Sequence, residues 1–173
     1  MALDEEATMS SSEGEYRAAW KNVFEGNLDA LFQLALLLTA DSQEAEANLA
    51  AVISTLDFSK QPDENALAVI RAALARQSIG SGGIISAAGF AEARCMLQPG
   101  LLPVLQLERL PRVCFVLQML FGYPTSVCAG RLALDEGGVK VLLGAAVLQL
   151  HHARSMHIAE TKEGPGGRET SAK

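Results

Sequence analysis

Apolar residues in this chain recur at spacings of three and four, and no stretch alternates convincingly between apolar and polar. That periodicity predicts helices throughout and an all-α fold. The first runs from Gly14 to Glu25, with Tyr16, Ala19, Trp20, Val23 and Phe24 on one face. Asn27 can cap the second, Leu28 to Thr39, whose core is LFQLALLLTA. Asp41 or Ser42 opens a third, to about Leu56, and Pro62-Asp63-Glu64-Asn65 a fourth, Ala66 to Ser78. Gly80 to Gly83 reads as a break, and residues 84–100 carry only weak helix signals before Pro99-Gly100. The pattern then gives an apolar helix from Val113 to Leu120, a Gly122–Pro124 turn and a short helix from Thr125 to Leu134. Asp135-Glu136-Gly137-Gly138 makes a second turn with a cap, and a last helix follows from Val139 to about His152. Residues 1–13 are polar and expected to fray. The division expected is a helical domain over 14–79, a linker over 80–100, a second domain over 101–155 and a disordered tail over 156–173.

Helix, glycine turn, helix is the outline of a helix-turn-helix unit, whose second helix normally enters the DNA major groove. The composition of that second helix is unusual for the task. Lys140 is the only charged residue between Val139 and Leu150. Phosphate contacts need Lys or Arg, and base readout needs donors or acceptors at the groove edges. Val139, Leu143, Ala146 and Leu150 follow spacings that make an inward stripe against Val113, Leu117 and Leu132. Val141, Leu142, Ala145, Val147 and Leu148 then lie on the other sides. These five are the candidate partner-binding residues, because an apolar patch left in water marks an interaction site.

The stretch from Leu107 to Val147 resembles the C-terminal DNA-binding domain of bacterial RNA polymerase sigma factors of the extracytoplasmic-function group. Their pattern, roughly LPxRxRxVFVLRxxEGLSYEEIAEILGISVGTVKSRLHRAR, can be laid on it without a gap. Arg112, Phe115, Val116, Leu117, Gly122, Ala129, Leu132, Gly137, Val139, Lys140, Leu143 and Ala146 coincide with it. The family's Ser, Arg, His, Arg and Arg around the recognition helix fall on Val141, Leu142, Gly144, Ala145 and Val147. The first half is similar to the family's polymerase-binding segment, LYRLALRLTGDREDAEDLVQETFL, at Leu31-Phe32, Leu34-Ala35, Leu38-Thr39, Asp41 and Ala45-Glu46. The acidic and polar run that grips polymerase in the family becomes Ala47, Asn48, Leu49, Ala50 and Ala51. The next helix, ENALAVIRAALARQSI, lacks the aromatic platforms and basic groove that trap single-stranded bases. The resemblance implies a sigma region-2-like helical bundle followed by a sigma region-4-like helix-turn-helix domain. It implies a divergent transcription regulator working mainly through protein contacts, with RNA polymerase, an anti-sigma factor or a second copy of the chain as partner. The alternative it implies is a working sigma factor that directs polymerase to promoters, in which Lys140, Arg131 and Arg112 keep a DNA or polymerase contact.

Charge agrees with the altered recognition helix. The net charge is −6, and the first 57 residues hold eleven acids against two bases. No segment has the basic footprint of a nucleic-acid binder. Cys95, Cys114 and Cys128 form no CxxC pair, and their odd number fits a reducing cytoplasm better than secretion. The start is acidic rather than the basic and apolar start of a signal peptide, and no apolar run approaches the length that spans a bilayer. The expectation is a cytoplasmic protein that does not enter membranes. Gly80-Ser81-Gly82-Gly83 lacks the Lys-Ser/Thr of a phosphate loop, so a flexible linker is expected there. His151, His152 and His157 have no Cys or carboxylate at ligand spacing. Acid pairs such as Glu44 and Glu46 read as solvated. No Ser/His/Asp or Cys/His constellation stands out, so the chain is expected to be no enzyme and to need no cofactor or metal.

Overall fold

A computed structural model describes residues 3–80 and 85–162, with side chains for 14–80 and 85–154. Over these residues the chain forms helices and no strands. Helix α1 spans Leu3–Phe24, so it starts well before the Gly14 expected from the pattern. Its Trp20 is buried, stacks on Phe24 at 6.1 Å and meets Phe58 edge-on at 5.4 Å. The indole Nε1 donates to the Lys60 carbonyl at 2.8 Å, so the one polar atom of the ring is satisfied.

Helix α2 (Leu28–Thr39) has the bounds that its apolar run predicts. Asn27 does precede it, but the Asn27 side chain does not cap it. Its Nδ2 donates backwards to the Val23 carbonyl at 2.9 Å, closing the turn at Gly26, whose φ of +82° suits glycine. The second half of α2 is buried on every side, at Ala35, Leu36, Leu37, Leu38 and Thr39. It packs against helices α3 (Ser42–Ser54), α4 (Ala66–Ile79) and α7 (Arg109–Phe115). This is the burial pattern of a central helix rather than of a surface one. Asp41 starts α3 by accepting the Glu44 amide at 2.9 Å, as an N-cap carboxylate should.

Residues 80–100, expected to be a linker, hold a formed helix. Ser86 caps α5 (Ala87–Met96) by accepting the Gly89 amide at 3.0 Å. Ala93 and Leu97 are buried, and Gln33 of α2 donates to the Met96 carbonyl at 2.8 Å. Ile85, Phe90 and Met96 pack half-buried against the same core, so apolar contacts and a polar clamp together hold the segment. Residues 81–84 of the expected break lie outside the described residues. A short turn at Pro99–Leu101 leads into α6 (Leu102–Leu105). Helix α7 continues through a π-helical turn at Val116–Leu120, so the expected Val113–Leu120 helix begins four residues earlier. Helix α8 (Thr125–Leu132) ends at Ala133 in the left-handed region. Helix α9 (Glu136–Lys162) runs ten residues past the expected His152, through the first part of the expected disordered tail. Residues 163–173 lie outside the described residues.

The two halves share one buried apolar cluster, from Leu31, Leu38 and Ile70 to Val113, Leu117, Val139 and Ala146. Three arginines of the second half also cross to main-chain carbonyls of the first. Arg112 Nη2 donates to Thr39 O at 3.3 Å, Arg109 Nη2 to Ile79 O at 2.5 Å and Arg131 Nη1 to Ala72 O at 3.3 Å. Thr39 and Ile79 are the last residues of α2 and α4. Carbonyls there lack intrahelical partners and sit at the negative end of the helix dipole, so a guanidinium suits them.

Candidate functional site

The face of α9 is set at its first turn. Asp135 Oδ1 accepts the Gly138 amide at 2.5 Å, the cap read from the sequence. A Cβ at Gly138 would lie 3.2 Å from that oxygen, so glycine lets the carboxylate close on the helix. From there each residue turns the helix by about 100°. Val139 and Ala146 are fully buried, and Leu142 and Leu150 pack half-buried against the core.

Leu142 thus stands where the sequence pattern placed Leu143. The two leucines flank the line of Val139, Ala146 and Leu150 on opposite sides, so spacing alone barely separates them. Both are half-buried, and Leu142 is the one that packs against the buried core. Of the five candidate partner-binding residues, Leu142 therefore belongs to the inner face. The other four face outward, and three of them come together. Val141 is 71% exposed, Leu148 62% and Val147 48%, and Ala145 is half-buried. Val141, Ala145 and Leu148 stand four and three residues apart, which is one stripe of a helix. Val147 lies to the side, on the same flank as exposed Lys140, seven residues before it. Met119 and Leu120 at the end of the π-helical turn and Val127 on α8 are further exposed apolar residues.

The three cations expected to keep a nucleic-acid or polymerase contact are placed differently from one another. Lys140 is exposed. Arg131 is half-buried, with its guanidinium 4.6 Å from the centre of the Tyr123 ring and a bond to Ala72 O. Arg112 is 0% exposed and donates to Leu107 O at 3.1 Å as well as to Thr39 O. It cannot reach a ligand from there. Burial, and then the neighbouring Arg109 charge, lower its pKa to about 10, which still leaves it charged at neutral pH.

The His151 and His152 rings are 6.2 Å apart and nearly perpendicular, and His152 Nδ1 lies 2.8 Å from the Leu148 carbonyl. His157 lies outside the described side chains. Among the described residues no three His, Cys, Asp or Glu side chains gather as a metal site would need, and no helix is long and apolar enough to cross a membrane.

Cys114 and Cys128 are fully buried and Cys95 is exposed. Burial, with Cys128 as the second cause, raises the Cys114 thiol to about 11, and burial also raises Cys128. Thiolate is the reactive form. A thiol reagent at neutral pH should therefore label one cysteine of the native protein, Cys95, and all three after denaturation. Rapid native labelling of Cys114 or Cys128 would show that the α7–α8 packing is looser than described.

No family model matches the chain, and no curated protein or solved structure matches it either. The functional reading therefore rests on the residues themselves.

Proposed function

We propose that this chain is a sigma-like helical protein, with its two halves docked on one shared core, that regulates transcription through protein contacts rather than by reading DNA. In this reading the outer stripe of α9 is the contact surface. One observation supports the proposal: Val141 and Leu148 stand in solvent on α9, the helix that, read as the second of a helix-turn-helix, would carry the polar and basic groups of a DNA reader. Their transfer into a protein interface is favourable at roughly 25 cal/mol per Å² of apolar area. The same transfer into a DNA groove would leave phosphates and base edges without partners. Arg112 and Arg131 also support the reading, since both guanidinia are committed to main-chain carbonyls inside the molecule.

The test is a pair of assays. Duplex libraries of random sequence, titrated with the chain at several salt concentrations, should show feeble binding with a log–log salt slope near zero. A protein that neutralises several phosphates gives a steep slope instead. Core RNA polymerase reconstituted with the chain should start no promoter-specific transcripts from selected or host DNA. Transcripts that begin at a defined promoter sequence would overturn the proposal in favour of a working sigma factor.

A further inference from the structure

A cleft of about 340 Å³ opens on the seam between the two halves. Helix α2 gives it Ala30 and Leu34, α4 gives Ala68 and Arg71, and the chain after α7 gives Leu120, Phe121 and Tyr123. Its volume lies at the lower end of the small-ligand range, and it is open to solvent on the side of the exposed residues Ala30, Ala68, Arg71 and Leu120. The sequence explains why the space exists. Ala30 and Ala68 are the shortest side chains that still make helix, and they stand where larger ones would fill the gap. Leu34 and Phe121 pack onto the core below and make an apolar floor. Phe121 and Tyr123 stack at 5.3 Å with an 18° angle between rings, which holds that wall flat. The Arg131 guanidinium covers the Tyr123 ring and is itself bonded to Ala72 of α4, so the wall is pinned to the opposite side of the seam.

The rim is charged on one side. Arg71 is exposed, and among the described residues its guanidinium has no hydrogen bond and no ion pair. No acidic residue lines the cleft. An apolar floor with small walls and one uncommitted guanidinium at the mouth suits an amphipathic anion. A guanidinium grips a carboxylate with two parallel N–H donors, while an apolar body fills the space behind.

We propose that this seam cleft binds a small carboxylate with an apolar body, of the size of a medium-chain fatty acid. Arg71 holds the carboxylate, and Leu34, Phe121 and Tyr123 receive the chain. The site is separate from the outer stripe of α9 and does not depend on what that stripe binds. Because both halves line it, an occupant binds the docked arrangement and not the unfolded chain, and so raises the melting temperature by mass action.

Decanoate and decanol serve as probes, read by calorimetry and by thermal shift on the full chain. Decanoate should bind, and decanol should bind at least tenfold more weakly. Arg71→Gln should weaken decanoate about tenfold and leave decanol unchanged, because the change removes the charge and keeps the walls. Ala68→Leu should abolish both by filling the space. Leu148→Glu, on the outer stripe of α9, should change neither. The circular dichroism of every variant should match the parent, which separates a lost site from a lost fold. Equal affinity for decanoate and decanol would overturn the proposal. So would decanoate binding untouched by Arg71→Gln or by Ala68→Leu, and so would no binding of decanoate at all.

Discussion

Arg112→Ala should be strongly destabilising, costing about 3 kcal/mol of stability. The guanidinium is fully buried and donates to two carbonyls, Leu107 O and Thr39 O, from opposite halves of the molecule. Its removal leaves those acceptors short of a donor in a place water reaches poorly, and each orphaned buried group costs about 1–3 kcal/mol. The space vacated between α2 and α7 adds a cavity cost. For a chain of this length each kcal/mol moves the midpoint by roughly 2–4 °C, so thermal melting should fall by about 10 °C. Arg112→Lys should recover little, because one ammonium on a flexible stem does not match the two directions that the planar fork serves. A melting temperature within about 2 °C of the parent for Arg112→Ala would show that the buried bonds contribute little.

Leu142→Arg and Leu148→Arg should behave oppositely, although the residues are less than two turns apart on one helix. Leu142 packs against the core, and a charge there must be dragged out of an apolar contact or buried without a partner. The expected loss is about 2–3 kcal/mol, comparable with deleting a well-packed leucine. Leu148 is exposed, and surface substitutions of that kind stay within about 0.5 kcal/mol. Leu148→Arg should therefore melt like the parent and lose partner binding instead. Urea denaturation of the two variants separates the cases. An unchanged midpoint for Leu142→Arg would place α9 in the register with Leu143 inward.

What could be read from the sequence follows from how strongly each residue constrains its neighbours. Helix α2 has the bounds its apolar run predicts, because that run is long and closes at the Thr39–Asp41 boundary, where Asp41 caps the next helix. The Asp135 cap was equally legible, since Asp followed by two glycines has few other uses before an apolar helix. Helix α5 was less legible, because its inner face, Phe90, Ala93 and then Leu97 at its end, is short and holds one fully buried residue within the helix, Ala93. The inner face of α9 was legible to within one residue. Two adjacent leucines satisfy the period almost equally, both are half-buried, and only contact with the core singles out Leu142. Arg112 was out of reach in another way. An arginine in a helix-turn-helix reads as a surface cation. Its burial depends on a carbonyl 73 positions away in sequence, which no local pattern reports. The seam cleft was invisible for the same reason, since its walls come from three separated segments.

The central claim is that the outer stripe of α9 meets protein. The most direct measurement puts a photoreactive benzophenone amino acid at position 148 and irradiates cells that produce the full chain. The adducts are then sorted into protein and DNA. The account predicts a discrete protein adduct at position 148, lost when Val141→Arg is added and absent when the probe sits at Val69 on α4, which is exposed and apolar but away from α9. Adducts to DNA at position 148, or no adduct to any macromolecule, would contradict it.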